Sequence, residues 1–189
     1  DSPEDCLRYG LVVVSGLARG IDGAAHRGAL AGAQAGGGTI GVIASGIDIA
    51  YPPEHRDLQD QVAAQGLLIA EQPPGTEPLA RHFPTRNRII AGLAAGTLVV
   101  EAAPRSGSLI TARLAGEFGR EVMAIPGSPL DSRSRGCNQL IRDGAVLVQS
   151  PEDVIELLSG FDGQPRAVFR EPAPAHIPAN DAGDDPADI

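Results

Sequence analysis

Residues 84 to 92 read Pro-Thr-Arg-Asn-Arg-Ile-Ile-Ala-Gly, two arginines around an asparagine immediately before an apolar run. A guanidinium is a planar fork that matches phosphate oxygens bidentately, so this is the chemistry of a phosphate-gripping loop entering a buried helix. It recurs at Ser15-Gly16-Leu17-Ala18-Arg19-Gly20-Ile21-Asp22 and at Arg105-Ser106-Gly107-Ser108-Leu109-Ile110-Thr111-Ala112, each just after a strand-like run. Glycine lets backbone N–H groups approach a phosphate closely, serine adds a hydroxyl donor, and the following helix N-terminus adds positive potential. The candidate binding residues are therefore Ser15, Gly16, Arg19, Gly20, Arg86, Asn87, Arg88, Arg105, Ser106, Gly107 and Ser108. Three anion-binding loops on one sheet suggest a polyanion.

The elements that must position these loops are legible from period. Short Val/Ile/Leu runs at Leu11 to Val14, Thr39 to Ile43, Leu67 to Ala70, Thr97 to Val100, Glu121 to Ile125 and Ala145 to Val148 predict buried parallel strands. Between them, Gly23 to Ala33, His55 to Gln65, Asn87 to Ala94, Ser108 to Phe118, Asn138 to Asp143 and Pro151 to Leu158 predict helices. This alternation argues for an α/β fold, a Rossmann-like doubly wound and mainly parallel sheet. In such a sheet the loops beyond the carboxyl ends of the strands converge on one crevice, so motifs far apart in sequence form one site.

The 189 residues, 42% of them hydrophobic, support one good-sized core. The chain is expected to divide into a Rossmann-like domain over 1–160 and an acidic, Pro/Ala-rich linker or tail over 161–189, too poor in large apolar residues to offset its ordering entropy. The formal net charge of -9 argues at first against nucleic acid. Its distribution argues otherwise. Residues 151–189 hold nine acids and two arginines, whereas residues 81–142 hold nine arginines and four acids, a local excess that predicts one positive face. No run approaches a membrane span and no basic-then-apolar leader precedes the first strand, so a cytoplasmic protein without a membrane partner is expected. Cys6 and Cys137, widely separated, read as two reduced structural thiols.

Single residues read more plainly. Asp22 is expected to be a helix N-terminal acid or a tether for Arg19, and Glu101 to orient a loop. His26 reads as a packed or surface histidine, and Asn87 as the cap of the following helix. His55, His82 and His176 show no ligand spacing, so neither metal nor cofactor is expected. Tyr51, before Pro52-Pro53, reads as a loop anchor. Phe83 is the single candidate for base stacking, so contacts to backbone phosphates should dominate, with modest sequence preference.

Ser-Gly-Leu-Ala-Arg-Gly-Ile-Asp-Gly-Ala-Ala-His (15 to 26), Tyr-Pro-Pro-Glu-His (51 to 55), Phe-Pro-Thr-Arg-Asn-Arg-Ile-Ile-Ala-Gly-Leu (83 to 93), Glu-Ala-Ala-Pro-Arg-Ser-Gly-Ser-Leu-Ile-Thr-Ala (101 to 112) and Pro-Gly-Ser-Pro-Leu (126 to 130) resemble the DprA/Smf family of DNA-processing proteins. The resemblance runs in order from about residue 10 to residue 158 and continues through Gly136-Cys137-Asn138-Gln139-Leu140-Ile141 and Asp143-Gly144-Ala145. It implies a non-enzymatic recombination mediator that binds and protects single-stranded DNA, dimerises, and helps load the RecA recombinase during natural transformation. By the same resemblance Arg19 lines the DNA pocket, with Arg86 to Arg88 and Ser106 to Ser108 beside it. Leu140 and Ile141, on a short helix late in the domain, are the expected homodimer contacts, against the simpler reading that they pack under the sheet edge.

Two departures stand out. The family's sheet opens with a further strand ending in a Gly-Ser-Arg turn, not found before Asp1, and the C-terminal winged-helix module of many members is not found either. The rival reading is an enzyme on the same scaffold, a nucleoside-monophosphate phosphoribohydrolase. Its Pro-Gly-Gly-x-Gly-Thr motif is not matched, and Pro126-Gly127-Ser128 is a poor substitute. A protein-only scaffold would leave the Arg/Ser/Gly loops idle.

Overall fold

Val42, Ile43, Ala44 and Ser45 form an unbroken buried run within the strand Gly38–Gly46 (β2). Such a run requires cover on both faces. β2 lies between Val12–Ser15 (β1) and Leu67–Gln72 (β3) in one parallel ladder. Glu121–Ala124 (β5) lies between Gly96–Val99 (β4) and Val146–Leu147 (β6) in a second. The computed structural model describes residues 10–33 and 37–160. The expected tail over 161–189 and Cys6 lie outside the described residues.

Helices join consecutive strands, as parallel pairing demands. They are Ile21–Ala31 (α1), Arg56–Gln65 (α2, after a 3-10 turn at Pro53–His55), His82–Leu93 (α3), Gly107–Glu117 (α4), Arg135–Arg142 (α5) and Pro151–Ser159 (α6). The Rossmann-like expectation holds, with strand boundaries within a few residues of those read from the apolar runs. β5 shows the double winding directly. Val122 and Ala124 pack with Ala112, Ala115, Cys137 and Leu140 of α4 and α5, whereas Met123 between them packs with Val148 and Val154 on the opposite face. A further cluster, Leu17, Ile43, Leu58 and Val62, fills the space beneath the first ladder. The buried apolar side chains thus fall into three clusters where one core was expected, because the strands form two three-stranded ladders and the second is covered on both faces.

Three readings are corrected. Residues 84–92 are helical throughout rather than a loop entering a helix. Proline at 84 misleads there, yet it sits in the first turn of α3, whose N–H groups have no intrahelical acceptor to lose. Asn87 therefore stands in mid-helix and caps nothing. Leu140, expected at a dimer contact, is 6% exposed within the second ladder's core, and Ile141 packs against the same cluster. Cys137 is the buried thiol that the sequence suggested, donating to Val99 O at 3.5 Å, and burial pushes its pKa up.

Candidate nucleic-acid interface

After β1 the chain turns at Leu17, whose φ of 57° lies in the left-handed region although it is not glycine. The conformation costs about 1–3 kcal/mol and is over-determined by what surrounds it. The Leu17 side chain is fully buried. Asp22, in the first turn of α1, accepts from Gly16 N at 3.0 Å and Ala18 N at 3.3 Å through Oδ2. His55 Nδ1 donates to Leu17 O at 2.9 Å. Asp22 is thus the acid at a helix N-terminus, and its partners are loop amides, not Arg19.

Arg86 completes the clamp from α3. Its Nη1 donates to Gly16 O at 2.9 Å and to Val42 O, and its Nε donates to Asn87 Oδ1 at 3.2 Å. Only 6% of the residue is exposed, and burial draws its pKa down against the opposing pull of Asp22. A Cβ on Gly16 would lie 2.6 Å from Cζ, Nη1 and Nη2 of that guanidinium, so glycine here lets backbone and arginine meet. The expectation that Arg86 grips a phosphate directly is therefore revised. Its Nη1 is committed to two buried carbonyls and its Nε to Asn87, and with the residue 6% exposed its role is to position the loop.

Arg19 leaves this loop on the outside. Its side chain is 62% exposed, and Nε donates to Glu54 Oε1 at 2.5 Å. The bond raises the pKa of Arg19 and lowers that of Glu54, with a smaller contribution to Arg19 from Tyr51. The Tyr51 ring meets Phe83 edge-on, centroids 5.4 Å apart, and the Arg86 guanidinium lies 5.9 Å from the centre of the Phe83 ring. An aromatic pair therefore stands beside Arg19, so Tyr51 is more than the loop anchor read from sequence. Gly20, at φ 83°, opens α1 with no side-chain cap.

Two residues past Arg86, Arg88 points about 200° around the helix and is exposed. It pairs with Glu71 at the end of β3. Asn87 reaches the third motif, Nδ2 donating to Gly107 O at 3.5 Å. There Ser106 caps α4, its Oγ accepting from Ser108 N at 3.3 Å, and Arg105 is exposed. A hydrogen-bonded chain thus runs from Gly16 O through Arg86 and Asn87 to Gly107 O, joining the loop after β1 to that after β4. The loop at 126–128 is bonded to α5 instead. Asn138 of α5 holds it, exchanging bonds with Gly127 N at 3.1 Å and Gly127 O at 2.9 Å.

The expected positive face is narrower than the count of arginines suggests. Arg113 pairs with Glu117 at 3.5 Å, and Arg133 pairs with Asp131 at 2.9 Å and Glu101 at 3.8 Å. Arg120 donates to Gly92 O at 3.1 Å. His26 is fully buried, Nδ1 donating to Thr39 Oγ1 at 2.7 Å while that hydroxyl donates to Val13 O at 3.3 Å. Burial pushes its pKa down to about 4 although Asp22 opposes the shift, so it is a neutral packed histidine. Among the described residues no group of three or more His, Cys, Asp or Glu is placed to hold a metal. Sequence reasoning missed Glu54 and Glu71. The Tyr51-to-His55 motif follows β2, so the convergence of strand-end loops was the signal that could have drawn Glu54 and His55 into the site.

Comparison with known proteins identifies the family. The profile of the DNA recombination-mediator protein A family matches residues 2–159. DNA processing protein DprA of Streptococcus pneumoniae is 56% identical over 149 residues, 79% of this chain and 52% of that protein. Its X-ray structure superimposes with a TM-score of 0.73 at 51% identity, covering 85% of this chain and 56% of that one. DNA processing protein A from Helicobacter pylori, described for its single-stranded DNA binding mode, gives 0.74 at 27% identity over 83% of this chain and 70% of that one. The chain spans about half the length of the curated relatives it matches, 52% and 51% for those from Streptococcus pneumoniae and Bacillus subtilis. No helix among the described residues is long and apolar enough to cross a membrane. The chain belongs to the DNA recombination-mediator protein A family.

Proposed function

We propose that this chain is the single-stranded-DNA-binding part of a recombination mediator that protects incoming DNA and helps RecA to load on it in the cytoplasm, with no catalytic step of its own. The observation that carries the reading is the clamp of Asp22, His55 and Arg86 on residues 16–18. It sets aside one arginine to fix a loop from which another, Arg19, projects. Arg88, Arg105 and the serine-capped start of α4 add anion donors linked to that loop through Asn87. Tyr51, 40% exposed, and Phe83 supply a stacking surface beside Arg19 that an unpaired base reaches and a base inside a duplex does not.

A homodimer fits the same reading, because two sites side by side raise avidity through effective concentration. With Leu140 in the core, the contact is moved to the edge strand β6, where Leu147 is 45% exposed. The test is competition between a labelled oligothymidylate and either unlabelled single strand or blunt duplex, run beside an assay for free base released from nucleoside monophosphates. Preference for the single strand with no base released supports the reading. Equal or tighter binding of duplex refutes it, and release of base would favour the phosphoribohydrolase.

A further inference from the structure

The exposed arginines Arg19 and Arg88 are each held by a carboxylate from a neighbouring segment, and each is held through one nitrogen only. Glu54, in the 3-10 turn after β2, takes Nε of Arg19; Glu71, in β3, takes Nη2 of Arg88. A carboxylate and a phosphodiester offer a guanidinium the same pair of oxygens and a single negative charge. They compete for the same fork.

We propose that Glu54 and Glu71 are built-in competitors of phosphate, occupying Arg19 and Arg88 in the free protein and yielding when a strand binds, so that the site refuses single anions yet holds and exchanges a polyanion. The inference rests on the interface proposed above. Both pairs are exposed, with side-chain values of 62% and 52% for Arg19 and Glu54 and 49% and 40% for Arg88 and Glu71. Such pairs are weak and open readily. One free phosphate exchanges one carboxylate for one phosphate and gains little. A strand opens both pairs at once and also reaches Arg105, which makes no ion pair among the described residues, so later contacts form at high effective concentration.

The opposite role, a carboxylate that aligns its arginine for the ligand, needs burial to hold the side chain still, and these exposures do not provide it. After displacement each carboxylate remains near the phosphate. A like charge about 6 Å away at an effective dielectric of about 40–80 corresponds to a factor of roughly 3–10 in affinity.

The test uses the full chain and a labelled oligothymidylate across a salt series. Glu54→Gln and Glu71→Gln each tighten binding about 3–10-fold at low salt, with the gain shrinking as salt screens the residual repulsion. Inorganic phosphate then becomes an effective competitor, while Glu156→Gln, which removes the same charge at an exposed position of α6 beside the second ladder, changes little. The Glu54→Gln gain shrinks in an Arg19→Ala background, where no guanidinium draws the phosphate to that carboxylate. Unchanged or weaker binding by both Gln variants overturns the inference, as does an equal gain with Arg19 absent. Wild-type binding by both Arg19→Ala and Arg88→Ala would instead remove the interface itself, and this inference with it.

Discussion

Arg86→Met separates an arginine that builds the site from one that touches the ligand. Methionine keeps much of the buried volume and removes every donor. Gly16 O and Val42 O then lose their guanidinium partner in a buried setting. An acceptor stranded in this way costs about 1–3 kcal/mol, so two cost roughly 2–6 kcal/mol. Removing a charge whose pKa burial already draws down returns part of this, leaving a net loss of about 2–4 kcal/mol. For a domain of this size that lowers Tm by roughly 5–15 °C. Urea melts give the stability, and titration of an oligothymidylate over a salt series, at a temperature where both proteins are folded, gives the slope. Affinity falls because the loop relaxes, but the salt slope stays at the wild-type value because no phosphate contact is deleted. A variant with wild-type stability and a flattened slope would refute the assignment and return Arg86 to the ligand.

Arg19→Ala and Arg88→Ala give the converse result, an unchanged urea midpoint with the salt slope flattened by roughly 0.7 each. Leu140→Ala costs about 2–5 kcal/mol because Leu140 sits in the second ladder's core, and Leu140→Glu fails to fold rather than yielding a folded monomer, as soluble expression and circular dichroism would show. His26, packed near Asp22, His55 and Arg86, is protonated in the unfolded chain below pH 6.5 but in the folded chain only below about 4. Stability attributable to it is therefore lost as pH falls through that window, reaching about 3 kcal/mol near pH 4. His26→Gln flattens stability against pH there, and an unchanged profile would place the acid sensitivity elsewhere.

The alternation of strands and helices was legible because strands covered on both faces must be apolar runs, and α3 was half legible for an equally physical reason. Its inward stripe runs through the buried Arg86 and Ala91 and the half-buried Phe83, Asn87 and Ile90, the spacing of one helix face. Had the helix been started at His82, that spacing would have placed Arg86 on the inner face and Arg88 off it. The tethers are another matter. Arg19 meets Glu54 35 residues away and Arg88 meets Glu71 17 away, pairings that exist only once β2 and β3 bring their loops together. Asp22 lay within reach of Arg19 in sequence, yet the left-handed turn at Leu17 aims two amides at its carboxylate first.

The same distinction governs what the charge of residues 81–142 does. Nine arginines stand in that segment, and a count alone would assign phosphate contacts to many of them. Burial takes Arg86, Glu117 pairs with Arg113, and Asp131 and Glu101 pair with Arg133. The exposed arginines that the proposed interface offers to a strand are Arg19, Arg88 and Arg105, which would make about three phosphate contacts per chain. With a slope of about −0.7 per contact for single strands, log K against log salt should run near −2 for one protomer. The Glu54 and Glu71 pairs lower that line at low salt and so make it shallower, because the residual repulsion they add fades as salt screens it. A slope steeper than about −4 per protomer would mean that many more arginines meet the strand than these three.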